Sequence, residues 1–363
     1  MKLRTALILL LGLAVALHVG AQSKKKKKGT EDEITQTLPV LKDPPQAVAA
    51  ETRSLVFHVS PLSAKGLLSQ QVRDALKALF QENRGAGIVK LRAFVAGSGD
   101  MRRVGQLVSE VFTDRKLNLP AVSTIQVGAL PMEGAQVVIE SIAVERRVVN
   151  PSGLAFFSGQ QTKDVRQSIA QLQTAVASAG VHPADVLRAT CFLSSLDDVA
   201  AARTALSAAF PDASADYIQL QRDAIAPLAE CEAVGRLSSA PAGAVTLVNP
   251  PQLSANPNYS QIALVNAPKI VITGTQMSFG EQESDVKLAF ERLGKALEPM
   301  GVAYKDVFWS STYPLTPAAV DRVRAIRFQF LDRSHPPAST LLLFEGLPSL
   351  DARVAIEVIA AVP

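Results

Sequence analysis

An order of strands and helices that recurs three times most constrains what this chain of 363 residues can fold into. Each recurrence predicts a strand, a helix, a second strand, a second helix and two further strands. Apolar residues in the helices are spaced as in Val72, Leu76 and Leu79, so each helix has one apolar face. The predicted strands are 55–59, 88–95, 123–127 and 137–143, then 154–157, 186–193, 217–220 and 229–234, then 270–273, 307–313, 341–344 and 354–360. We therefore expect three domains, at 51–147, 148–246 and 247–363.

One sheet with two helices leaves a face of the sheet uncovered, because two helices cover only one side. Three such sheets in one chain can bury these faces against each other around a pseudo-threefold axis. Three independent domains would instead leave three large apolar faces in water, which soluble proteins avoid. We expect an α+β fold arranged as an intrachain pseudo-trimer, in a monomeric protein.

The N-terminus resembles an export signal. Lys2 and Arg4 precede an apolar stretch at 6–17, and the small residues at 19–21 predict cleavage after Ala21. An uncleaved membrane anchor is the alternative, although the apolar stretch is short for a membrane span. Residues 22–50, with a run of lysines at 24–28, then predict a flexible linker. We expect an exported protein, periplasmic or secreted, with no membrane span after cleavage.

The positive charge of the chain is concentrated at this end. Seven of the 37 basic residues precede Glu31, which leaves 30 against all 33 acidic residues. Because the rest of the chain is slightly acidic, a nucleic-acid partner is not expected. His58, His182 and His335 are scattered without ligand spacing, and no phosphate-binding loop or nucleophile elbow occurs, so we expect neither a metal nor a cofactor.

The two cysteines, Cys191 and Cys231, both lie in apolar predicted strands. Small buried free thiols are common in such strands, and this is the favoured interpretation. A disulfide remains the alternative, because an exported protein can form one if the two Cβ atoms face each other.

Several motifs resemble the RidA (YjgF/L-PSP) family. The resemblance is strongest in the second and third recurrences and weaker in the first, which we regard as divergent. The motifs are Ser158-Gly159-Gln160, 185–193, Asp197-Asp198 and 229–234, then 337–340, 346–348 and 354–357, then 120–123, 129–131 and 138–140. The resemblance implies a chorismate-mutase-like fold, trimeric assembly and small-molecule sites in the clefts between subunits. It also implies hydrolysis of enamines and imines to 2-keto acids and ammonia.

In that family an arginine after a Pro-Ala pair binds the substrate carboxylate, and a glutamate in the last strand positions water. A guanidinium suits a carboxylate because both are planar and can form two parallel hydrogen bonds. Here the arginine position holds Val122, Asp216 (or Ala215) and Ser339 in the three recurrences. The glutamate position holds Val138, Glu230 and Ala355, so Glu230 alone keeps the carboxylate.

We predict a binding site for a small, amino-acid-derived metabolite, without the family's standard deaminase chemistry. Two alternatives remain: a deaminase at Glu230 that uses Arg222, Arg236 or Arg203 as its cation, and a scaffold without a ligand. Glu230 is the candidate catalytic residue, or an ordinary polar residue on an alternating strand. The candidate ligand-binding residues, each also explicable by a turn, a core contact or a strand hydroxyl, are Ser158, Gly159, Gln160, Asp216, Tyr259, Gly274, Thr275 and Ser339.

Overall fold

A computed structural model describes residues 41–223 and 226–363. The predicted export signal, its cleavage site and the lysine run lie outside the described residues. Within the described ranges, no helix has both the length and the apolar character needed to cross a membrane.

The secondary structure alternates as the sequence predicts. The first part contains β1 (Ala47–Glu51), β2 (Leu55–Val59), α1 (Leu68–Glu82), β3 (Gly87–Ala96), α2 (Arg103–Asp114), β4 (Ala121–Val127) and β5 (Val137–Val144). The second contains β6 (Leu154–Thr162), α3 (Val165–Ser178), β7 (Val186–Leu193), α4 (Val199–Ala209), β8 (Ser214–Gln219) and β9 (Ala229–Arg236). The third contains β10 (Val245–Val248), β11 (Ile262–Val265), β12 (Lys269–Thr273), β13 (Gln276–Phe279), α5 (Glu283–Leu297), β14 (Val307–Pro314), α6 (Pro317–Ile326), β15 (Ala338–Leu341) and β16 (Ala352–Ala361).

Three sheets of the described chain share one strand order. It is β2-β5-β3-β4 in the first sheet, β6-β9-β7-β8 within the second, and β12-β16-β14-β15 within the third. In each sheet the last two strands of this order are parallel and joined by a helix, and the other pairs are antiparallel. The molecule is thus a mixed α+β structure built on several sheets.

Two sheets are extended by strands from elsewhere in the chain. β1 pairs with β12, so the N-terminal strand joins the third sheet. β11 pairs with β6 and carries β10 into the second sheet. The linker expected through residue 50 therefore ends earlier, at about residue 46. Its last residues are held by hydrogen bonds to a strand more than 200 residues away, which no local pattern reveals.

Each pair of helices packs on one face of its sheet around an apolar cluster. The helix-free faces meet each other. Two further clusters draw residues from all three sheets: one includes Phe57, Phe156 and Phe308, and the other includes Phe94, Phe192 and Phe344. We call them the shared apolar clusters. They bury the faces that the helices leave uncovered.

Cys191 and Cys231 form a disulfide, with their Cα atoms 4.1 Å apart. The favoured expectation of free thiols is therefore wrong. The two residues stand directly opposite each other in the antiparallel pair of β7 and β9. Directly opposed residues on antiparallel strands have their side chains on the same face and close together, which brings the two sulfur atoms within bonding distance.

Candidate ligand-binding cleft

A polar cavity of about 110 Å³ lies where the second and third sheets meet. We call it the Glu230 cleft. Its walls come from β6 and β9 on one side, and from the segment before β11, the end of α6 and β15 on the other. The lining residues are Gly159, Gln161, Glu230, Asn256, Asn258, Tyr259, Arg324, Arg327, Ser339 and Leu341.

Glu230 reaches this cavity because of a bulge in the neighbouring strand. The pairing of β6 with β9 shifts register between Phe157 and Gln160. Gly159 lies in that interval, and a methyl group on it would overlap the Glu230 carboxyl group. Glycine is therefore required here to make room for the carboxyl group. Burial, and secondarily the nearby Glu232, raise the pKa of Glu230 well above its usual value.

Arg327 supplies a cation to the same cavity. It lies in a short 3-10 turn, Arg327–Gln329, directly after α6, and only 4% of its surface is exposed. Among the described residues, no hydrogen-bond acceptor contacts its Nε or Nη2. Burial, together with the neighbouring Arg324, lowers the pKa of Arg327 to about 10, so the guanidinium is still charged at neutral pH. The guanidinium lies 5.3 Å from the centre of the Phe328 ring, and a buried cation without an acceptor is costly.

Ser158 joins the two walls of the cleft by hydrogen bonds. The Ser158 hydroxyl donates to the carbonyl of Ser260 at 2.7 Å and accepts from the backbone N–H of Ser339 at 2.8 Å. Ser158 therefore lies behind the cavity and holds β15 against β6. The Gln160 amide also turns away, since it donates to the Ser158 carbonyl and to Gln261. Gln161, one residue further on, lines the cavity instead.

Tyr259 forms part of the opposite wall. Burial, with a smaller contribution from Glu230, raises the pKa of its phenol. The phenol therefore stays neutral at physiological pH and can donate a hydrogen bond into the cavity. Asn256 and Asn258 add amide groups beside it. Glu230, Gly159, Tyr259 and Ser339 are thus brought together as neighbours, although their roles remain predictions.

Asp216 lies in a different place. It borders a cavity of about 180 Å³ between the first and second sheets, together with Val138, Arg203 and Tyr217. Both carboxyl oxygens of Asp216 lack a hydrogen-bond partner among the described residues, and burial, followed by Glu140, raises its pKa well above the usual value. The structure therefore separates Asp216 from the Glu230 cleft.

Gly274 and Thr275 also lie away from the Glu230 cleft. The Gly274 N–H donates to the carbonyl of Gln46 at 2.8 Å, and a Cβ on Gly274 would lie 2.9 Å from the Val122 carbonyl. Backbone from the N-terminal segment and from β4 thus packs directly against this turn. Gly274 and Thr275 therefore lie at a different sheet boundary from Glu230, and Tyr259 is the candidate residue that shares the Glu230 cleft.

The arginines proposed from sequence do not line the Glu230 cleft. Arg222 is exposed beside Glu345, and Arg236 donates to Asp185 at 2.8 Å. Arg203 stacks on Tyr217 in the Asp216 cavity. The arginines close to Glu230 in sequence could not identify Arg327, because this cation comes from the end of a helix about 100 residues later in the chain.

A second set of charges lies between the two shared apolar clusters and was also missed. We call it the charged centre. Its buried members are three carboxylates, one from each of β5, β9 and β16, and three cations: Glu140, Glu232, Glu357, Lys90, Arg92 and Arg188. The three glutamates each follow, by two residues, the positions of Val138, Glu230 and Ala355. Their recurrence is the sequence signal that could have identified them.

The charges of the centre are paired across sheets. Arg92 donates to both oxygens of Glu140, at 2.5 and 2.9 Å, and to Oε1 of Glu232 at 2.7 Å. Lys90 donates to Glu357 at 2.5 Å. Burial alone would raise the pKa of Glu140, but Arg188 and Arg92 lower it to about 2. The centre is internally balanced, and we assign it a structural role.

Comparison with known proteins finds one matching family model. Residues 51–145 match the family model described as Endoribonuclease L-PSP. The match falls on the first recurrence, in which the sequence resemblance is weaker. No curated protein matches the sequence. Among the described residues, no group of His, Cys, Asp and Glu could hold a metal ion.

Similar solved structures include three bacterial proteins. A protein of the conserved Rid family from Yersinia pestis is 16% identical, with a TM-score of 0.29, and the match covers 33% of this chain and 99% of that one. A YjgF/YER057c/UK114 family member from Mycobacterium tuberculosis is 20% identical, with a TM-score of 0.24, and covers 32% of this chain and 99% of its own. A YjgF family member from Neisseria meningitidis is 14% identical, with a TM-score of 0.25, and the match covers 33% of this chain and 95% of that one.

Proposed function

We propose that the chain comprises three tandem RidA-like domains, at 51–147, 148–246 and 247–363, arranged as an intrachain pseudo-trimer and exported after cleavage of its first 21 residues. The common strand order of the three sheets supports the tandem arrangement. The shared apolar clusters support the pseudo-trimer, since all three sheets contribute to each. Sequencing of the N-terminus of the protein recovered from the cell exterior or periplasm tests the export proposal, and an intact Met1 contradicts it.

The proposed function is binding of a small carboxylate metabolite in the Glu230 cleft. The observation that carries this proposal is Arg327, a buried guanidinium that lines the cavity and has no acceptor for its Nε and Nη2 among the described residues. A carboxylate in the cavity would supply the counter-charge and a charge-assisted hydrogen bond. The amides of Asn256 and Gln161 and the phenol of Tyr259 provide further polar contacts.

Calorimetric titration with 2-oxobutanoate tests this proposal. Arg327→Gln should weaken binding by about 10- to 100-fold, because hydrogen bonds to charged groups contribute about 1.5–3 kcal/mol. Arg322→Gln is the matched control, since Arg322 is an exposed arginine of α6 that does not line the cleft. Equal affinity of both variants and the unaltered protein would contradict the proposal.

Hydrolysis of 2-imino acids is a second candidate function, favoured by the raised pKa of Glu230. With the substrate carboxylate on Arg327, a protonated Glu230 can donate its proton to the imine nitrogen. Water then adds to the imine carbon and returns one proton to Glu230, which gives a carbinolamine. The proton of the carbinolamine hydroxyl passes to the amine nitrogen, the carbon–nitrogen bond breaks, and a 2-keto acid and ammonia leave. These steps use no cofactor.

Ammonia release from freshly generated 2-iminobutanoate measures this activity. Glu230→Gln should abolish the acceleration over buffer, and Glu291→Gln, an exposed carboxylate on α5, should leave it unchanged. Acceleration that survives in Glu230→Gln removes Glu230 from the chemistry. No acceleration in the unaltered protein, together with binding of 2-oxobutanoate, leaves a binding protein; failure of both leaves a scaffold without a ligand.

A further inference from the structure

A larger, mostly apolar cavity of about 350 Å³ adjoins the Glu230 cleft. The two cavities share Gln161, Arg324 and Leu341 in their linings, so they lie side by side along the boundary between the second and third sheets, and we call the pair the groove. Neither the resemblance nor the proposed function accounts for this second part.

The walls of the larger cavity are mostly aliphatic. Leu220 and Leu228 come from the connection between β8 and β9, Val320 comes from α6, and Leu342 directly follows β15. Contact with such walls favours a hydrocarbon group over a polar one, by about 25 cal/mol for each Å² of apolar surface removed from water.

The charges of the groove give it a direction. Arg327 lines the polar cavity and not the apolar one, whereas Asp321 lines the apolar one and not the polar one. Arg324 lines both cavities and is paired with Asp321 at 3.9 Å, so Arg327 is the cation that distinguishes the polar cavity and attracts a ligand carboxylate to it. An anionic head group should therefore lie in the Glu230 cleft, and the rest of the ligand should extend away from it.

The sizes of the two cavities point in the same direction. A volume of about 110 Å³ accommodates a head group, whereas the adjoining 350 Å³ lies within the usual range of small-molecule sites, about 300–1,000 Å³. The apolar part is therefore large enough to hold most of a ligand on its own.

We propose that the groove binds an amphipathic carboxylic acid, with its carboxylate on Arg327 and an unbranched aliphatic tail in the apolar cavity lined by Leu228, Val320 and Leu342. This inference rests on the proposed function, because the head group uses the same arginine. It goes further by specifying a tail longer than that of 2-oxobutanoate.

Dissociation constants for butanoate, hexanoate and octanoate, measured by calorimetry, test the tail site. Affinity should rise about fourfold for each added methylene, which corresponds to about 0.8 kcal/mol. Octanoate should therefore bind more than 100-fold more tightly than butanoate. Octan-1-ol, which has the same tail without a carboxylate, should bind more weakly than octanoate by the same factor that Arg327→Gln costs octanoate.

Val320→Trp should fill the apolar cavity and remove the dependence on chain length while butanoate binding persists. Ala325→Trp is the matched control, since Ala325 is an exposed residue of α6 outside both cavities. If Val320→Trp fails to fold, the ligand series with the unaltered protein still decides the question.

The outcomes separate the two proposals. Equal affinity for the three acids, with butanoate binding lost in Arg327→Gln, overturns the tail site and leaves the carboxylate site standing. Equal binding of octan-1-ol and octanoate overturns the proposed head-group placement. Absence of binding for every acid, 2-oxobutanoate included, overturns the carboxylate site and the tail site together.

Discussion

The charged centre and the Glu230 cleft contain the same kinds of side chain in opposite states. In the centre, Arg92 contacts two carboxylates and Glu140 contacts two arginines. In the cleft, Arg327 has no acceptor among the described residues, and the pKa of Glu230 is raised because burial favours its neutral form. Both regions lie at boundaries between sheets, and only the second has a cavity large enough for a metabolite's head group.

The difference shows how a boundary between sheets can serve either stability or binding. Where each buried charge has a partner within the protein, the cost of removing it from water is offset and the region is complete. Where a buried charge lacks one, the cost remains until a ligand supplies the partner. The comparison therefore predicts opposite responses to similar substitutions in the two regions.

The largest effect should come from Glu140→Gln. Loss of the Glu140 carboxylate leaves Arg92 and Arg188 short of a counter-charge in a buried site. This should lower the free energy of unfolding by about 3–5 kcal/mol at pH 7. Because the pKa of Glu140 is lowered to about 2, the penalty should persist down to about pH 4 and shrink as the pH falls toward 2. Urea unfolding across this pH range measures the penalty.

Glu110→Gln, in the exposed pair with Arg73, is the control and should lower the free energy of unfolding by at most about 1 kcal/mol. An equal loss of stability in both variants would contradict the structural role of the charged centre.

Arg327→Met should act in the opposite direction and by a smaller amount. It removes an unpartnered buried guanidinium while keeping most of the side-chain volume, so the free energy of unfolding of the ligand-free protein should rise by about 1–3 kcal/mol. Arg92→Met, the same change in the charged centre, should lower it. Destabilisation by both variants in urea unfolding would show that Arg327 is satisfied within the protein, and the comparison would fail.

Glu230→Gln should change the free energy of unfolding the least, by about 1 kcal/mol, because the carboxyl group of Glu230 borders a cavity that water can enter. A raised pKa in the folded state means that the unaltered protein is stabilised below the unfolded pKa, near 4.3, and loses this stability as the pH rises through the folded pKa. The variant does not titrate at this position. Its stability advantage should therefore be absent near pH 4 and increase with pH, the reverse of the Glu140→Gln profile. A constant difference from pH 4 to 9 in thermal unfolding would contradict the raised pKa.

Much of the secondary structure follows from the sequence, because periodic apolar residues report which face of an element is buried. The predicted strands at 55–59 and 186–193 have the observed bounds, and most others differ by one to three residues. Four strands were not predicted: β1, β10, β11 and β13. Two of them depend on distant partners, since β1 pairs with β12 and β11 pairs with β6, each more than 100 residues away in the chain.

The candidate site was predicted only in part for the same reason. The family pattern located Glu230 and Gly159, which are neighbours across one strand pair. It could not locate Arg327, since the cation comes from the end of a helix rather than from the strand position at which the pattern places it. Glu140 and Glu357 were visible as recurring residues, but their pairing with Lys90 and Arg92 depends on how the sheets face each other, and no single recurrence contains that information.

The exchange of β1 into the third sheet also determines how the molecule would respond to mechanical force. β1 and β16 lie on opposite sides of β12, each antiparallel to it, with Ala47 beside Thr273 and Ala361 beside Ile270. A pull applied at residues 47 and 361 would therefore draw the two outer strands in opposite directions along β12. In that geometry both ladders are loaded in shear, and the hydrogen bonds of whichever ladder fails must break together instead of one after another. The strand that sequence patterns missed thus places the two ends of the folded chain in the arrangement that best resists extension.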